Sequence, residues 1–386
     1  MIYLDNSATT EISAEVKGVM IRALDAYGNP SSTHSAGIEA RAIIDKAREQ
    51  VSAALGMGRL NAENLIFTAS GSEANNTAIL GVAYAKQKRR QNRIITTDSE
   101  HPSVENVMRR LEADGFEVVR LRTQGGVVDE QQFLSCMNEN VLLVSLMLVN
   151  NETGAVYDVK KLFSIAKRVN PEVVTHCDAV QGFLKVAFTP KNVNADLVSI
   201  SAHKIHGPKG VGALYVSPEI IKKKKLIPFV LGGGQEAGFR SGTENVVGIA
   251  GFGAAAAQGK LDFAQNTGKT CALRDRCEQL AVERGARVNV PQGARAPHVL
   301  SVTLPDIKSE TMLNFLSAKG ICISAGSACS SHARHISSSL LGFGLSAADV
   351  DTTVRISFSE YNTMEDIDAF ADALGEGIAN LTRIRR

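Results

Sequence analysis

The sequence lacks the features that would assign it to a membrane, secreted or nucleic-acid-binding class. No uninterrupted apolar run reaches the length of a membrane span, and Met1 to Asn6 contain neither a basic region nor an apolar leader. The 42 Lys and Arg residues nearly balance the 40 Asp and Glu residues, so the charge does not call for nucleic acid or an anionic membrane. We therefore expect a cytoplasmic protein with no direct nucleic-acid partner and no membrane partner.

Cysteine pairs at metal-binding spacing are also missing. No two of the six cysteines form a C-x-x-C motif: they are Cys136, Cys177, Cys271, Cys277, Cys322 and Cys329. This spacing argues against a zinc site or a disulfide framework, and we expect no metal. Cys322 stands between two isoleucines, which is typical of a core residue. Cys329 stands among Ser, Ala and Gly, which suit an accessible loop. The residues alone leave open whether its thiol is functional.

The order of apolar and amphipathic segments predicts an α/β fold. From Leu65 to Thr175, short strand-like runs alternate with helical patterns, which indicates a mostly parallel sheet covered by helices on both faces. After the Ala- and Gly-rich stretch Gly251–Ala257 the pattern changes to a long helical segment, strand-like runs and a closing helix. We expect a large domain over residues 14–257 and a smaller α+β domain formed by residues 1–13 and 258–386.

One lysine stands at a predicted strand exit. Lys204 lies between the apolar run Ala195–Ile200 and a glycine-containing turn that leads into the strand-like run Val211–Val216. A lysine held there can be partly desolvated, which disfavours its charged form and makes the amine a nucleophile. An aldehyde cofactor such as pyridoxal phosphate needs such an amine, although most lysines near strand ends are simply solvated.

Other polar residues follow predicted strands in the same way. Gly71 and Ser72 open a helix whose free N–H groups suit a phosphate, or else belong to an ordinary serine cap. Asp178 could hold a pyridine nitrogen protonated or be a turn residue, and Gln181 could donate to a phenolic oxygen. His101 could stack on a flat ring or be structural. Open α/β sheets bind ligands at the carboxyl ends of their strands. These residues together therefore favour a cofactor site more strongly than any one of them does alone.

These residues lie in motifs that resemble the cysteine desulfurase family, within the class V aminotransferases of pyridoxal phosphate fold type I. The similarity runs from Tyr3 to Ser357. Its motifs are Tyr3–Thr10, Gly28–Ser32, Val149–Gly154, His176–Gln181, Ser201–Lys204, Arg240–Thr243 and Gly326–Cys329. The resemblance implies a large domain with a seven-stranded, mostly parallel sheet and a small domain that carries the cysteine loop.

The resemblance also assigns roles by position. Lys204 matches the lysine that bonds the cofactor aldehyde and moves protons at the substrate Cα, and Cys329 matches the nucleophile that becomes a persulfide. The cofactor would further contact Gly71, Ser72, His101, Asp178, Gln181, Ser201, His203 and, from the neighbouring subunit of a homodimer, Thr243. Asn151, Arg355 and Asn29 match substrate-binding positions, and the planar fork of Arg355 suits a carboxylate.

The implied reaction converts L-cysteine to L-alanine and passes sulfur through Cys329 to an acceptor protein, such as an iron–sulfur scaffold or a tRNA-thiolation carrier. Two rivals remain open: a selenocysteine lyase or another class V enzyme, and a pyridoxal-phosphate-binding scaffold for partner proteins. The family usually continues after the cysteine loop with a Glu-Pro-Ser-like segment, whereas this chain has His332–Ser339. That departure affects the surface that an acceptor would meet.

Overall fold

The computed structural model of the chain describes residues 1–85, 91–325 and 336–381. The strands are β1 (Ile2–Tyr3), β2 (Leu65–Thr68), β3 (Arg93–Thr97), β4 (Glu117–Leu121), β5 (Val141–Met147), β6 (Ala155–Val156), β7 (Val174–Asp178), β8 (Leu197–Ser201), β9 (Gly212–Val216), β10 (Arg287–Val288), β11 (Ala294–Arg295), β12 (Val299–Thr303), β13 (Ile321–Cys322), β14 (Ser324–Ala325) and β15 (Thr353–Ser357). The α-helices are α1 (Ala14–Ala23), α2 (Ser35–Ala54), α3 (Gly71–Tyr84), α4 (Pro102–Ala113), α5 (Glu130–Cys136), α6 (Val159–Val169), α7 (Pro218–Lys222), α8 (Val246–Leu261), α9 (Phe263–Glu283), α10 (Ser309–Ala318), α11 (Ser338–Phe343), α12 (Ala347–Asp351) and α13 (Met364–Asn380). Within these ranges no helix is long and apolar enough to cross a bilayer.

Seven strands form the main sheet in the order β2-β9-β8-β7-β5-β3-β4. The pairs from β8 through β7, β5 and β3 to β4 are parallel, and β9 pairs antiparallel with both of its neighbours. Only β9 therefore runs against the others, and the carboxyl ends of the remaining six strands share one edge. The predicted α/β class and its mostly parallel seven-stranded sheet are confirmed.

Both faces of the central strands of this sheet are buried, and β5 at its centre is almost wholly apolar. Along β5 every residue is buried. Neighbouring residues alternate between two cores: Ile95, Val144 and Ile200 belong to one, and Ile94 and Leu143 belong to the other. Because successive side chains of a strand point to opposite faces, the two cores lie on opposite sides of the sheet.

Helix α8 was not predicted from the sequence. Its Ala- and Gly-rich residues marked a change of pattern, yet they form a helix that packs on α1 and α2. A Cβ on Gly253 would lie 2.6 Å from Ala47 Cα, so the small residues are what allow the backbones of α8 and α2 to approach. A helix buried on most of its surface has no polar face, and the periodic signal that identifies amphipathic helices is absent.

A second, antiparallel sheet has the order β10-β12-β15-β14 and packs into a third core. That core combines Leu4 with residues between 273 and 378. The chain start also joins this region, because β1 pairs with β13 and Asp5 bridges to Ser357. The expected boundary after residue 257 falls inside α8, and the division into two domains stays a prediction.

Candidate active site

A cavity of about 220 Å³ lies at the edge of the main sheet where β2, β3, β5, β7 and β8 end. Ten residues singled out from the sequence line it: Gly71, Ser72, His101, Asn151, Asp178, Gln181, Ser201, His203, Lys204 and Arg355. Nine of them follow or end a strand of the main sheet, and Arg355 comes from β15 of the second sheet. The cavity therefore lies between the two sheets.

Lys204 ends a short 3₁₀ turn directly after β8. Its Nζ donates to the carbonyl oxygens of Ser7 at 2.5 Å and Ala8 at 2.8 Å. The turn is fixed to the same N-terminal segment, because Thr10 donates from N and Oγ1 to the His203 carbonyl at 2.9 and 3.0 Å. Residues 7–10 thus hold both the lysine amine and the backbone that carries it.

The start of α3 forms a cradle for an anion. Ser70 caps the helix by accepting the N–H of Glu73 at 3.1 Å, which leaves the first-turn N–H groups of Gly71 and Ser72 toward the cavity edge. A Cβ on Gly71 would lie 2.7 Å from Val180 Cγ2, so glycine keeps this approach open. Among the described residues, buried Ser201 Oγ has no hydrogen-bond partner. A phosphate would supply the acceptor that this hydroxyl lacks.

Asp178 provides a buried carboxylate at the end of β7. Its Oδ1 accepts from the Val180 N–H at 3.0 Å, and its Oδ2 accepts from Asn75 Nδ2 at 2.7 Å. Hydrogen bonds to a carboxylate are among the stronger ones in proteins, so these two donors fix the orientation of the group. Asp178 is placed to pair with a positively charged group in the cavity.

Gln181 is oriented by two partners on opposite ends of its amide. Its Nε2 donates to the Ser7 carbonyl at 2.8 Å, and its Oε1 lies 3.4 Å from His298 Nε2. Burial, together with the charges of Lys185, Arg355, Lys204 and Arg274, holds the pKa of His298 far below its usual value. A neutral His298 donates from its Nε2 to Gln181 Oε1, which keeps the amide oxygen turned away from Ser7. The Gln181 Nε2 carries two hydrogens, and the one that does not bond Ser7 is left for the cavity.

His101 caps α4 and lines the cavity with its ring. Its Nδ1 lies 2.8 Å from Ser103 Oγ and accepts the Ser103 N–H at 3.1 Å. Burial lowers the pKa of His101, the charge of Asp178 opposes this shift, and the charge of Lys204 adds to it. The net direction favours a neutral ring, which can stack on a flat ligand without carrying a charge.

Arg355 is almost fully buried and is held by two partners. Its Nη1 donates to the Asn151 carbonyl at 3.0 Å, and its Nη2 pairs with Asp5 Oδ1 at 2.9 Å. Among the described residues Arg355 Nε has no partner. The Asp5 oxygen also accepts from Ser324 Oγ at 2.8 Å. A guanidinium positioned in this way retains a donor for an incoming carboxylate.

A further acid, Glu100, lies behind the site. Its side chain accepts from Thr97 Oγ1 at 2.8 Å and from the Met147 N–H at 3.0 Å. Burial raises the pKa of Glu100 to about 8, and the charges of Asp178 and Glu105 add to the shift while the two hydrogen bonds oppose it. The folded protein therefore holds this carboxyl protonated at neutral pH.

This protonated acid makes stability depend on pH. Folding raises the pKa of Glu100 from 4.5 to about 8. The stabilisation is therefore complete below the pKa of the unfolded chain and is lost as the pH rises through the pKa of the folded protein. In the wild type we expect this group to lower the unfolding free energy by ~3–5 kcal/mol between about pH 5 and pH 9. Glu100→Gln stays neutral, so this decrease should be absent in the variant. Thermal melts of both proteins across this range check it, and parallel curves would contradict it.

Several residues that shape the cavity were missed from the sequence. They are Asp5, Ser7, Ala8, Asn75 and His298. Four of the five stand in the Tyr3–Thr10 motif or in the helix that Gly71 and Ser72 open, but no spacing rule connects residues 5–8 with Lys204 or Arg355. His298 carried no sequence signal.

Two predicted residues of the described chain, Thr243 and Asn29, do not line the cavity. Thr243 and Asn29 are exposed, and the Asn29 side chain accepts the N–H of Ser31 at 2.9 Å. Cys329 lies outside the described residues. The roles assigned to these three positions stay predictions.

The family is shown by comparison with known proteins. The sequence profile of the family described as aminotransferase class-V matches residues 2–370. A cysteine desulfurase of Trichormus azollae is 38% identical over 386 positions, which cover 99% of this chain and 94% of that protein. The chain belongs to the cysteine desulfurase family of class V aminotransferases. The resemblance found in the sequence motifs is thereby confirmed.

Solved structures of the family share the fold of this member. A NifS-like protein superposes with a TM-score of 0.91 at 34% identity, covering 98% of this chain and all of that one. SspA, solved in complex with cysteine, superposes with a TM-score of 0.80 at 31% identity, covering 94% of this chain and all of that one.

Proposed function

We propose that the chain is a pyridoxal 5′-phosphate-dependent cysteine desulfurase, which converts L-cysteine to L-alanine and retains the sulfur on Cys329 as a persulfide. The observation that carries the proposal is the shared cavity of Lys204, Asp178, the anion cradle at Gly71 and Ser201, and Arg355. An amine, a carboxylate, a phosphate site and a guanidinium are the groups needed for an aldehyde cofactor and an amino-acid substrate.

The residues present fit this cofactor. Ser201 Oγ and the N–H groups of Gly71 and Ser72 would hold its phosphate, Asp178 its ring nitrogen and Gln181 its phenolic oxygen. When bound, the cofactor supplies an electron sink for the carbanion at the substrate Cα. Lys204 would bond its aldehyde.

The remaining chemistry belongs to the side chains. Arg355 and the Asn151 segment would bind the substrate carboxylate and so fix the Cα near Lys204. Lys204 would take the Cα proton as a general base. The Cys329 thiolate would attack the substrate sulfur and form a sulfur–sulfur bond, while the electron pair of the broken carbon–sulfur bond stays on Cβ, which is then protonated. Lys204 would return its proton to Cα, which completes alanine.

One experiment tests the proposal directly. Purified protein, reconstituted with pyridoxal phosphate, is incubated with L-cysteine, and mass spectrometry follows alanine and the peptide that contains residue 329. We expect alanine to form and that peptide to gain one sulfur atom. A parallel incubation with selenocysteine measures selectivity, and binding of the cofactor without turnover of either amino acid would favour a scaffold and overturn the proposal.

Asp5 should set the position of Arg355 for substrate. Asp5→Asn removes one charged partner of the guanidinium, and we expect the KM for L-cysteine to rise about 10-fold with a smaller change in kcat. Asp25→Asn, which neutralises an exposed carboxylate, is the matched control. Steady-state alanine formation measures both constants, and an unchanged KM in the Asp5 variant would argue that Arg355 needs no such partner.

A homodimer is supported by apolar side chains exposed around one cavity. That cavity is lined by Ser31 and Gly233, and the exposed side chains on the flanking segments include Tyr27, Ile38, Phe229 and Leu231. Large apolar side chains exposed in this way would gain from burial in a subunit interface. Exposed Thr243 follows the second segment, where it could reach the cofactor phosphate of the other subunit.

Mixing inactive variants tests this interface. If Thr243 completes the partner's site, homodimers of Thr243→Ala and of Lys204→Ala should both be impaired. Subunit exchange between the two variants should restore about a quarter of the sites, because each mixed dimer holds one intact site. Light scattering checks the dimer. A fully active monomer, or no recovery after proven exchange, would contradict the model of shared sites.

The sulfur acceptor remains a protein partner of the kind named by the resemblance, an iron–sulfur scaffold or a tRNA-thiolation carrier. A cytoplasmic location fits such partners. Transfer of labelled sulfur from the Cys329 persulfide to candidate acceptors would distinguish them.

A further inference from the structure

Asn75 lies one helical turn after Gly71, on the face of α3 that borders the cavity. Only 1% of its surface is exposed. Its Nδ2 donates to Asp178 Oδ2 at 2.7 Å and to Ser103 Oγ at 2.9 Å. An amide nitrogen has two hydrogens, so this side chain serves one acceptor with each.

The second bond continues to the histidine. Because Ser103 Oγ accepts from Asn75, its own proton is directed to His101 Nδ1, 2.8 Å away. The Ser103 backbone N–H points to the same nitrogen at 3.1 Å. With two donors on Nδ1, the hydrogen of the neutral imidazole is on Nε2.

The orientation of the amide is forced. In the reversed orientation Asn75 Oδ1 would face the Asp178 carboxylate, and two acceptors would repel each other. In the observed orientation Oδ1 is buried and has no hydrogen-bond partner among the described residues. An unsatisfied buried carbonyl is costly, so the arrangement is retained for what the Nδ2 group does.

We propose that Asn75 is a positioning residue that couples Asp178 to His101 through Ser103, so that one amide fixes the carboxylate for the cofactor ring nitrogen and the Nε2–H form of the imidazole stacked on the ring. The inference rests on the proposed function. The same helix would then place the phosphate with its first turn and the ring's two protein partners with its second.

Removing Asn75 should alter the pH dependence of catalysis. Asp178 would keep only the hydrogen bond from the Val180 N–H at 3.0 Å and would lose the shorter one from Asn75 at 2.7 Å. Among the described residues, Glu100 and Cys177 interact electrostatically with Asp178, and Lys204 interacts with His101. These groups stay in place in an Asn75 variant. A shift of the acid limb, the low-pH side of the profile of kcat/KM against pH, therefore reports the lost amide.

The experiment compares kcat/KM for alanine formation from L-cysteine across pH in the reconstituted enzyme and its variants. Asn75→Ala should lower kcat/KM about 10- to 100-fold, as expected for a lost hydrogen bond to a charged group, and move the acid limb about one pH unit upward. Asn75→Asp preserves the volume and should move the limb further, since it adds a negative charge beside Asp178. Ser103→Ala should lower kcat/KM with a smaller shift.

Coupling is tested by combining the changes. In Asn75→Ala/Ser103→Ala the loss should be smaller than the product of the single losses, because both interrupt the same connection. Asn170→Ala removes another buried amide at the far end of β5 and controls for general destabilisation; its acid limb should not move. Unshifted limbs in both Asn75 variants, or multiplying losses, would overturn the inference. A wild-type enzyme that makes no alanine would instead overturn the proposed function.

Discussion

Lys204→Ala is expected to abolish alanine formation, with a loss of at least ~10³-fold, and to abolish the visible absorbance of bound cofactor. Lys204 lines the cavity from the turn after β8, and its amine is held by two carbonyls. Alanine can neither bond an aldehyde nor accept a proton from the substrate Cα. Absorbance spectra and single-turnover assays measure the two losses separately.

The control for this variant is Lys209→Ala, which removes an exposed lysine five residues further along the chain. Its spectrum and rate should match those of the wild type. Retention of the cofactor band by Lys204→Ala, with melting temperature unchanged, would mean that another amine holds the cofactor, and the central assignment would be wrong.

Cys329→Ser is expected to keep the cofactor absorbance and lose at least ~10²-fold in alanine formation from L-cysteine. A thiolate forms readily near neutral pH and attacks sulfur, whereas a serine hydroxyl does neither. Cys322→Ser is the matched control, since it removes the nearest other cysteine in the sequence, on β13. Undiminished turnover in the Cys329 variant would exclude this residue as the nucleophile.

The candidate site was largely predictable because parallel strands bring their carboxyl ends together. Gly71, His101, Asp178 and Lys204 each follow a separate strand, and the sheet order places them around one cavity without further assumptions. Strand-like and helical patterns were sufficient for that prediction. The motifs then identified the family.

Contacts between distant parts of the chain could not be predicted in the same way. Asp5 meets Arg355 across 350 positions, and no local pattern encodes that pairing. Asn75 stood in a recognised helix start, but its two partners depend on how α3 packs against β7 and α4. Helix α8 lacks a polar face and so lacked the usual signal. The role predicted for exposed Thr243 would require a second subunit.

The position of residues 5–10 has a consequence for biosynthesis. This segment is translated before β14 and β15, yet it is held by Ser324 of β14 and by Ser357 of β15, which follow it by 319 and 350 positions. Because contacts of such high sequence separation form late, the Ser7 and Ala8 carbonyls cannot be fixed against Lys204 until β15 has been translated. A partly synthesised chain would therefore not yet hold the Lys204 amine in its final position.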